Sequence, residues 1–145
     1  MDSVQDILAR KGTAVIAMAP NDTVLQAART MNERGVGSVL VMWESRLVGV
    51  FTERDVLRRV VAEQRDPATT PLHDVMTVAV LTCQPGTALM ECGTLMSEHR
   101  VRHLPVLDDG GAVRGIVTSG DLLAFQLADQ QSTIAHLNRY VFDVR

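Results

Sequence analysis

The hydrophobic pattern changes period several times along the chain, and the changes come in a fixed order. Ala14 to Met18 is a short apolar run of strand type, followed by Pro20-Asn21-Asp22-Thr23, where Asp22 or Thr23 can cap a helix. Val24, Ala27, Ala28 and Met31 then recur at helical spacing up to a stop at Gly35. Gly37 to Met42 and Arg46 to Phe51 read as two strands around a Glu44-Ser45 turn, and Thr52 caps a second helix whose apolar face carries Val56, Leu57, Val60 and Val61. Polar residues from Glu63 to Thr70, with Pro67 among them, form a linker, and Thr70-Pro71 starts another short helix. The beginning of the chain resembles that lead-in: Ser3 to Asp6 has capping-box spacing, Ile7 and Leu8 are apolar, and Gly12 ends the turn.

The pattern then repeats. A shift of about 65 positions brings Val15 onto Val80, Pro20 onto Pro85, Met31 onto Met96, Val36 onto Val101 and Val41 onto Val106. After one inserted residue in the Asp109-Gly110-Gly111 turn, Gly49 falls on Gly115, Thr52 on Thr118, Asp55 on Asp121 and Leu57 on Leu123. Each copy therefore predicts strand, helix, strand, strand, helix. Beyond Phe125 an amphipathic stretch with Leu127, Ile134, Leu137 and Val141 has no counterpart in the first copy; it either folds over the domain's own core or meets a second subunit.

Composition narrows the function classes. The chain has 145 residues, 46% hydrophobic and 21% charged, which suits one compact folded unit. A net charge of -3 with dispersed basic residues provides no footprint for nucleic acid. No apolar run is long enough for a membrane span and no signal-peptide pattern opens the chain, so a cytoplasmic location is expected. Cys83 and Cys92 lack partners at metal-site spacing and read as buried free thiols, and the seven methionines fall mostly at core positions. His99 and His103 are four apart, but the helix ends near the first and a strand begins by the second, so they do not share a metal-binding face. His73 and His136 read as surface or interface residues. Gly35-Val36-Gly37 lies between helix and strand, the reverse of the dinucleotide-binding order, and no phosphate-binding Gly-Lys-Ser/Thr loop is present. No Ser, Cys and His grouping supports nucleophilic catalysis.

The informative local chemistry is the junction Gly49-Val50-Phe51-Thr52-Glu53-Arg54-Asp55, matched by Gly115-Ile116-Val117-Thr118-Ser119-Gly120-Asp121. A Thr with an acidic residue three positions later is a capping box that needs no ligand. The same junction in two copies also offers amides and a hydroxyl to phosphate, and a carboxylate to the vicinal hydroxyls of a ribose. Arg100 to Pro105 adds donors that Gly35 to Leu40 lacks, which makes the pocket around Asp121 the more basic one, with Arg54 compensating near Asp55.

The duplicated pattern, the Asp74-Val75-Met76-Thr77 lead-in and the two Gly-h-h-Thr-x-x-Asp endings, where h is apolar, resemble a tandem pair of cystathionine-β-synthase-type (CBS) domains, a Bateman module, over roughly Ser3 to Phe125. The resemblance implies an α/β (α+β) fold of two βαββα repeats packed by pseudo-two-fold symmetry, with extra N- and C-terminal helices. The units are 1–66, the first repeat with its lead-in helix; 67–126, the second repeat; and 127–145, a C-terminal helical extension. It further implies a non-catalytic regulatory module that senses an adenosine-containing ligand such as AMP, ADP, ATP, NAD or S-adenosylmethionine in the clefts between repeats, with no cofactor required. One pocket would use Thr118, Asp121, Arg102 and His103 with Thr13 and Val15; the other Thr52, Asp55, Ser38 and Arg54 with Val78 and Val80. Expected partners are a second copy, forming a four-repeat disc, and a regulated protein in another chain, since no enzyme, channel or transporter segment is attached. The competing reading is a structural dimerisation module with no physiological nucleotide, its Thr-x-x-Asp motifs serving only as helix caps.

Overall fold

In the computed structural model, which describes residues 2–143 and the side chains as far as residue 131, each repeat has its own core. Helix α1 (Val4–Lys11) leads into a two-residue strand β1 (Ala17–Met18), helix α2 (Val24–Arg34), and strands β2 (Ser38–Trp43) and β3 (Arg46–Thr52). Helix α3 (Glu53–Asp55) runs straight into a π-helical segment, Val56–Val61. The second repeat follows with α4 (Leu72–Val75), α5 (Leu89–His99), β4 (His103–Leu107), β5 (Val113–Thr118) and α6 (Ser119–Asp143). No helix among the described residues is long and apolar enough to cross a membrane.

Local chemistry accounts for most boundaries. Thr23 Oγ1 accepts from the Gln26 amide at 3.2 Å, and Gly35 closes α2 in the left-handed conformation at φ 65°. Gly12 ends α1 with its N–H donating to the Leu8 carbonyl. Glu44 and Ser45 both have positive φ, as a two-residue hairpin of right-twisted strands requires. In the linker, the Asp66 carboxylate accepts from the Ala68 amide and its carbonyl from the Thr70 hydroxyl. His99 ends α5 and His103 opens β4, so the two imidazoles sit on different elements.

The sheets are unequal. In the first repeat β1 pairs parallel to β2, which pairs antiparallel to β3. In the second, β4 and β5 pair alone, and the expected strand around Val80 is reduced to one parallel bridge between Cys83 and Val106. The second helix of the first repeat also departs from expectation. Val60 is buried and Val56 packs on the core, whereas Leu57 and Val61 are 63% and 62% exposed. Their equivalents Leu123 and Leu127 are exposed too, at 57% and 48%. In both repeats a core that takes one row of the helix's side chains leaves the adjacent row outside. After β5, the closing helix of the second repeat and the amphipathic stretch form one continuous α6. Side chains at Ile134, His136, Leu137 and Val141 fall outside the described ones.

The two lead-in helices are exchanged. Val4, Ile7 and Leu8 of α1 lie in the core of the second repeat with Cys83, Cys92, Met96, Leu104, Val106 and Val117. Leu72 and Val75 of α4 lie in the core of the first, with Val24, Val39, Phe51 and Val60. Backbone bonds repeat the crossing: the Val4 amide donates to the Thr87 carbonyl, and the Val24 amide to that of Thr70. Cys83 and Cys92 are both buried free thiols. Glycines make room for the exchange. A Cβ at Gly115 would come within 2.8 Å of Leu8, and one at Gly49 within 2.9 Å of Met76 Cγ and 3.1 Å of the Thr77 carbonyl.

Candidate functional site

Where the repeats meet, a cavity of about 470 Å³ opens between the edge of the first sheet and the β5–α6 junction of the second repeat. One wall is apolar backbone and side chain from Ala14, Val15 and Ile16, continued by Val36 and Leu40. The opposite wall carries Arg102, His103, Thr118 and Asp121, together with Ser119 and Gly120 at the start of α6. Lys11 closes one end, and Gly37, Ser38 and Glu53 line the side nearest the first repeat. An apolar slot beside a carboxylate and a helix N-terminus is shaped for a flat hydrophobic group joined to a polar, anionic one.

At Asp121 the capping box is complete. The Thr118 amide donates to Asp121 Oδ2 at 2.9 Å, and the Asp121 amide donates to Thr118 Oγ1 at 3.1 Å. Lys11 Nζ reaches the same Oδ2 at 2.7 Å and the Ile116 carbonyl at 3.1 Å. All three contacts leave Asp121 Oδ1 without a partner among the described residues. Lys11 arrives because Leu8, one helical turn earlier, packs against Gly115 on β5. Both partners keep solvent contact, with side chains 31% and 22% exposed, so the pair contributes little stability and is easily rearranged.

His103 stands opposite Thr118 in the β4–β5 ladder. Burial pushes its imidazole below the usual 6.5; Glu53 opposes that shift, Lys11 and Arg102 reinforce it, and Asp121 opposes it weakly. Glu53 and His103 crowd the same spot: a Cβ on Gly37 would lie 3.1 Å from Glu53 Oε1 and 3.4 Å from His103 Nε2. The small residue at position 37 is what lets both side chains face the cleft.

The junction at Asp55 has the same box and a different outcome. Asp55 Oδ2 accepts from the Thr52 amide at 2.9 Å and from its hydroxyl at 3.3 Å, while Arg59 Nε lies 3.6 Å from Oδ1. Arg59 also donates to the Val75 and Met76 carbonyls. Val50 and Thr77 exchange backbone hydrogen bonds at 2.9 and 3.0 Å, which brings the lead-in of the second repeat directly onto β3. Thr52, Asp55, Val78 and Val80 do not line the 470 Å³ cavity.

The remaining sequence-derived positions are distributed as follows. Val15, Arg102, His103, Thr118 and Asp121 are brought together. Ser38, grouped by sequence with Asp55, lines the Asp121 cleft instead, where it is buried. Thr13 is exposed just outside the lining, and Val78 is 69% exposed. Arg54 is not in that lining; it donates to the Arg100 carbonyl at 2.7 Å in an adjoining depression that shares Arg102 and Ser119 with the cleft. Lys11 and Glu53 are the lining residues that sequence reading missed. Glu53 stood inside the motif as an unassigned position, and nothing in the local pattern at Lys11 announces that α1 crosses to the other repeat. Among the described residues no group of three His, Cys, Asp or Glu side chains is placed to hold a metal ion.

The CBS domain family model matches twice, over residues 4–62 and 72–128. The chain belongs to the CBS domain family. CBS domain-containing protein YhcV of Bacillus subtilis is 34% identical over 138 residues, covering 95% of both chains. A solved CBS-domain protein from Burkholderia ambifaria superposes with a TM-score of 0.85 at 39% identity, over 89% of this chain and 96% of that one. The CBS domain pair of protein MJ0100, solved with 5'-methylthioadenosine and S-adenosyl-L-methionine, matches with a TM-score of 0.78 at 25% identity, over 89% and 98% of the two chains. The two matched CBS segments bracket the cleft, since Asp121 belongs to the second and Val15 to the first.

Proposed function

We propose that this CBS pair is a non-catalytic regulatory module that binds one adenosine-containing ligand per chain, in the cleft built around Asp121. The observation that carries the reading is Asp121, whose Oδ1 has no hydrogen-bond partner among the described residues, lining a 470 Å³ cavity with apolar walls and the α6 N-terminus. Asp121 accepts from the ribose, Thr118 and the α6 amides face the group attached to it, and the base lies along Ala14 to Ile16. The adenosine-type ligands of the MJ0100 pair support the ligand class. Ligand binding draws the two repeats together across the cleft and so alters the surface presented to a regulated partner.

A second copy is the proposed structural partner. Leu57 with Val61, and Leu123 with Leu127, are exposed apolar pairs at equivalent positions of the two repeats, the arrangement a four-repeat disc would bury twice. Leu123→Glu is expected to convert the dimer to a monomer in light scattering; an unchanged mass would remove this face from the interface. The structural-module reading retains one observation in its favour, since both Thr-x-x-Asp motifs do cap their helices.

A thermal-shift panel separates the readings. AMP, ADP, ATP, NAD and S-adenosylmethionine are compared with GTP on the wild-type protein and Asp121→Ala. At about a hundred times Kd a bound ligand adds roughly 2.7 kcal/mol, or about 5 to 10 °C at this chain length. A shift confined to adenosine compounds and lost in the variant supports the sensor; no shift with any compound supports the structural module.

A further inference from the structure

The cleft contains charged residues that a general nucleotide pocket does not need. Lys11 and Arg102 supply positive charge, but Glu53 and Asp121 line the same cavity and offset it. Lys11 is already held by Asp121 at 2.7 Å. His103 adds no charge near neutral pH, because burial lowers its proton affinity. Glu53 has no ion-pair partner among the described residues, and its carboxylate stands over Gly37 beside His103.

We infer that this cleft selects adenosine ligands by charge, taking one that carries no more than a single phosphate, and that Glu53 is the residue that turns polyphosphates away. The inference rests on the adenosine reading above and specifies which members of that class bind. A first phosphate at the start of α6 meets the Gly120 amide and the Thr118 hydroxyl, and draws on Lys11 at the cost of a weak solvent-exposed pair. Further phosphates have to extend along the wall that follows. There the Ser119 amide is bonded to the Arg102 carbonyl, His103 comes next, and Glu53 faces His103. Arg102 is the one guanidinium in the cavity's lining among the described residues, Arg54 being bonded to the Arg100 carbonyl in the adjoining depression, and it does not neutralise a growing polyanion that is also pressed toward a carboxylate. The second repeat has Ser119 at the position of Glu53, so the charge is not a requirement of the Thr-x-x-Asp turn.

Isothermal titration with adenosine, AMP, ADP and ATP, all in EDTA so that no divalent cation masks the phosphates, tests this on the wild type, Glu53→Gln and Glu53→Ser. The wild type is expected to bind AMP more tightly than ATP. Both variants are expected to narrow the AMP-to-ATP ratio by about threefold or more, mainly by strengthening ATP, with adenosine unchanged and the effect shrinking at high salt. A wild type that prefers ATP, or a ratio unmoved in both variants, overturns the inference while leaving adenosine binding intact. If no compound binds, adenosine included, the nucleotide reading itself fails and the selectivity falls with it. Because Glu53 is exposed and makes no side-chain hydrogen bond, both substitutions leave the fold testable.

Discussion

The two Thr-x-x-Asp junctions are the same local structure in two different surroundings. At each, the Thr hydroxyl accepts from the Asp amide and the Asp carboxylate from the Thr amide, at distances between 2.9 and 3.3 Å. At Asp55 both carboxylate oxygens have neighbours, because Arg59 approaches the second one and ties it to the end of α4. At Asp121 the extra cation, Lys11, shares the oxygen already used by the cap and leaves the other without a partner among the described residues. Repeat sequence thus builds equal caps, and the cation beside each decides what the cap can do. At Asp121 that cation is Lys11, delivered by the exchanged lead-in helix; at Asp55 it is Arg59, from the repeat's own closing helix.

Filling the glycines that seat these helices is expected to have the largest effect. Gly49→Ala meets Met76 Cγ and the Thr77 carbonyl; Gly115→Ala meets Leu8 and must also hold a side chain at φ 155°. Chemical denaturation should show each variant less stable by about 1 to 3 kcal/mol. Unchanged stability in either would mean that its glycine does not seat a lead-in helix. Next, Asp55→Ala removes a nearly buried cap and strands Arg59, so it should cost about 1 to 2 kcal/mol of stability while ligand affinity stays unchanged. A parallel loss of affinity would give Asp55 a part in binding.

Lys11→Met removes the cation from the Asp121 cap. It is expected to weaken AMP by about fivefold and to leave adenosine within twofold, read by titration. If adenosine weakens equally, Lys11 shapes the cleft rather than meeting the phosphate. The smallest expected effect concerns His103. Its folded-state proton affinity is lowered, so the unfolded chain binds the extra proton first as pH falls through the usual value near 6.5. Stability conferred by the neutral imidazole is complete above that pH and declines below it. Wild type minus His103→Gln, followed by Tm between pH 7.5 and 5.5, should show that decline; a flat difference would mean that the imidazole faces solvent.

Much of this was legible in the chain. The repeat, the Gly35 stop, the Glu44-Ser45 hairpin and both capping boxes are consequences of short-range chemistry, and short-range chemistry is what periodicity and turn residues report. The gathering of Val15, Arg102, His103, Thr118 and Asp121 was expected from family resemblance. Three features were not legible, and each depends on partners distant in sequence. The exchange of α1 and α4 is written in which core each apolar face meets, not in the faces themselves. The exposure of Leu57 and Val61, matched by that of Leu123 and Leu127, depends on how wide a stripe of each helix its core covers, which the helical period does not report. The strand near Val80 is missing because pairing is made only at Cys83, although its apolar residues would suit a longer one.

The central claim is that the two junctions are unequal as binding sites, and stoichiometry tests it most directly. AMP is titrated calorimetrically into the wild type, Asp121→Ala and Asp55→Ala. The account predicts one site per chain in the wild type, retained in Asp55→Ala and weakened more than about tenfold in Asp121→Ala. Two equal sites per chain, or binding that survives Asp121→Ala and disappears with Asp55→Ala, would contradict it.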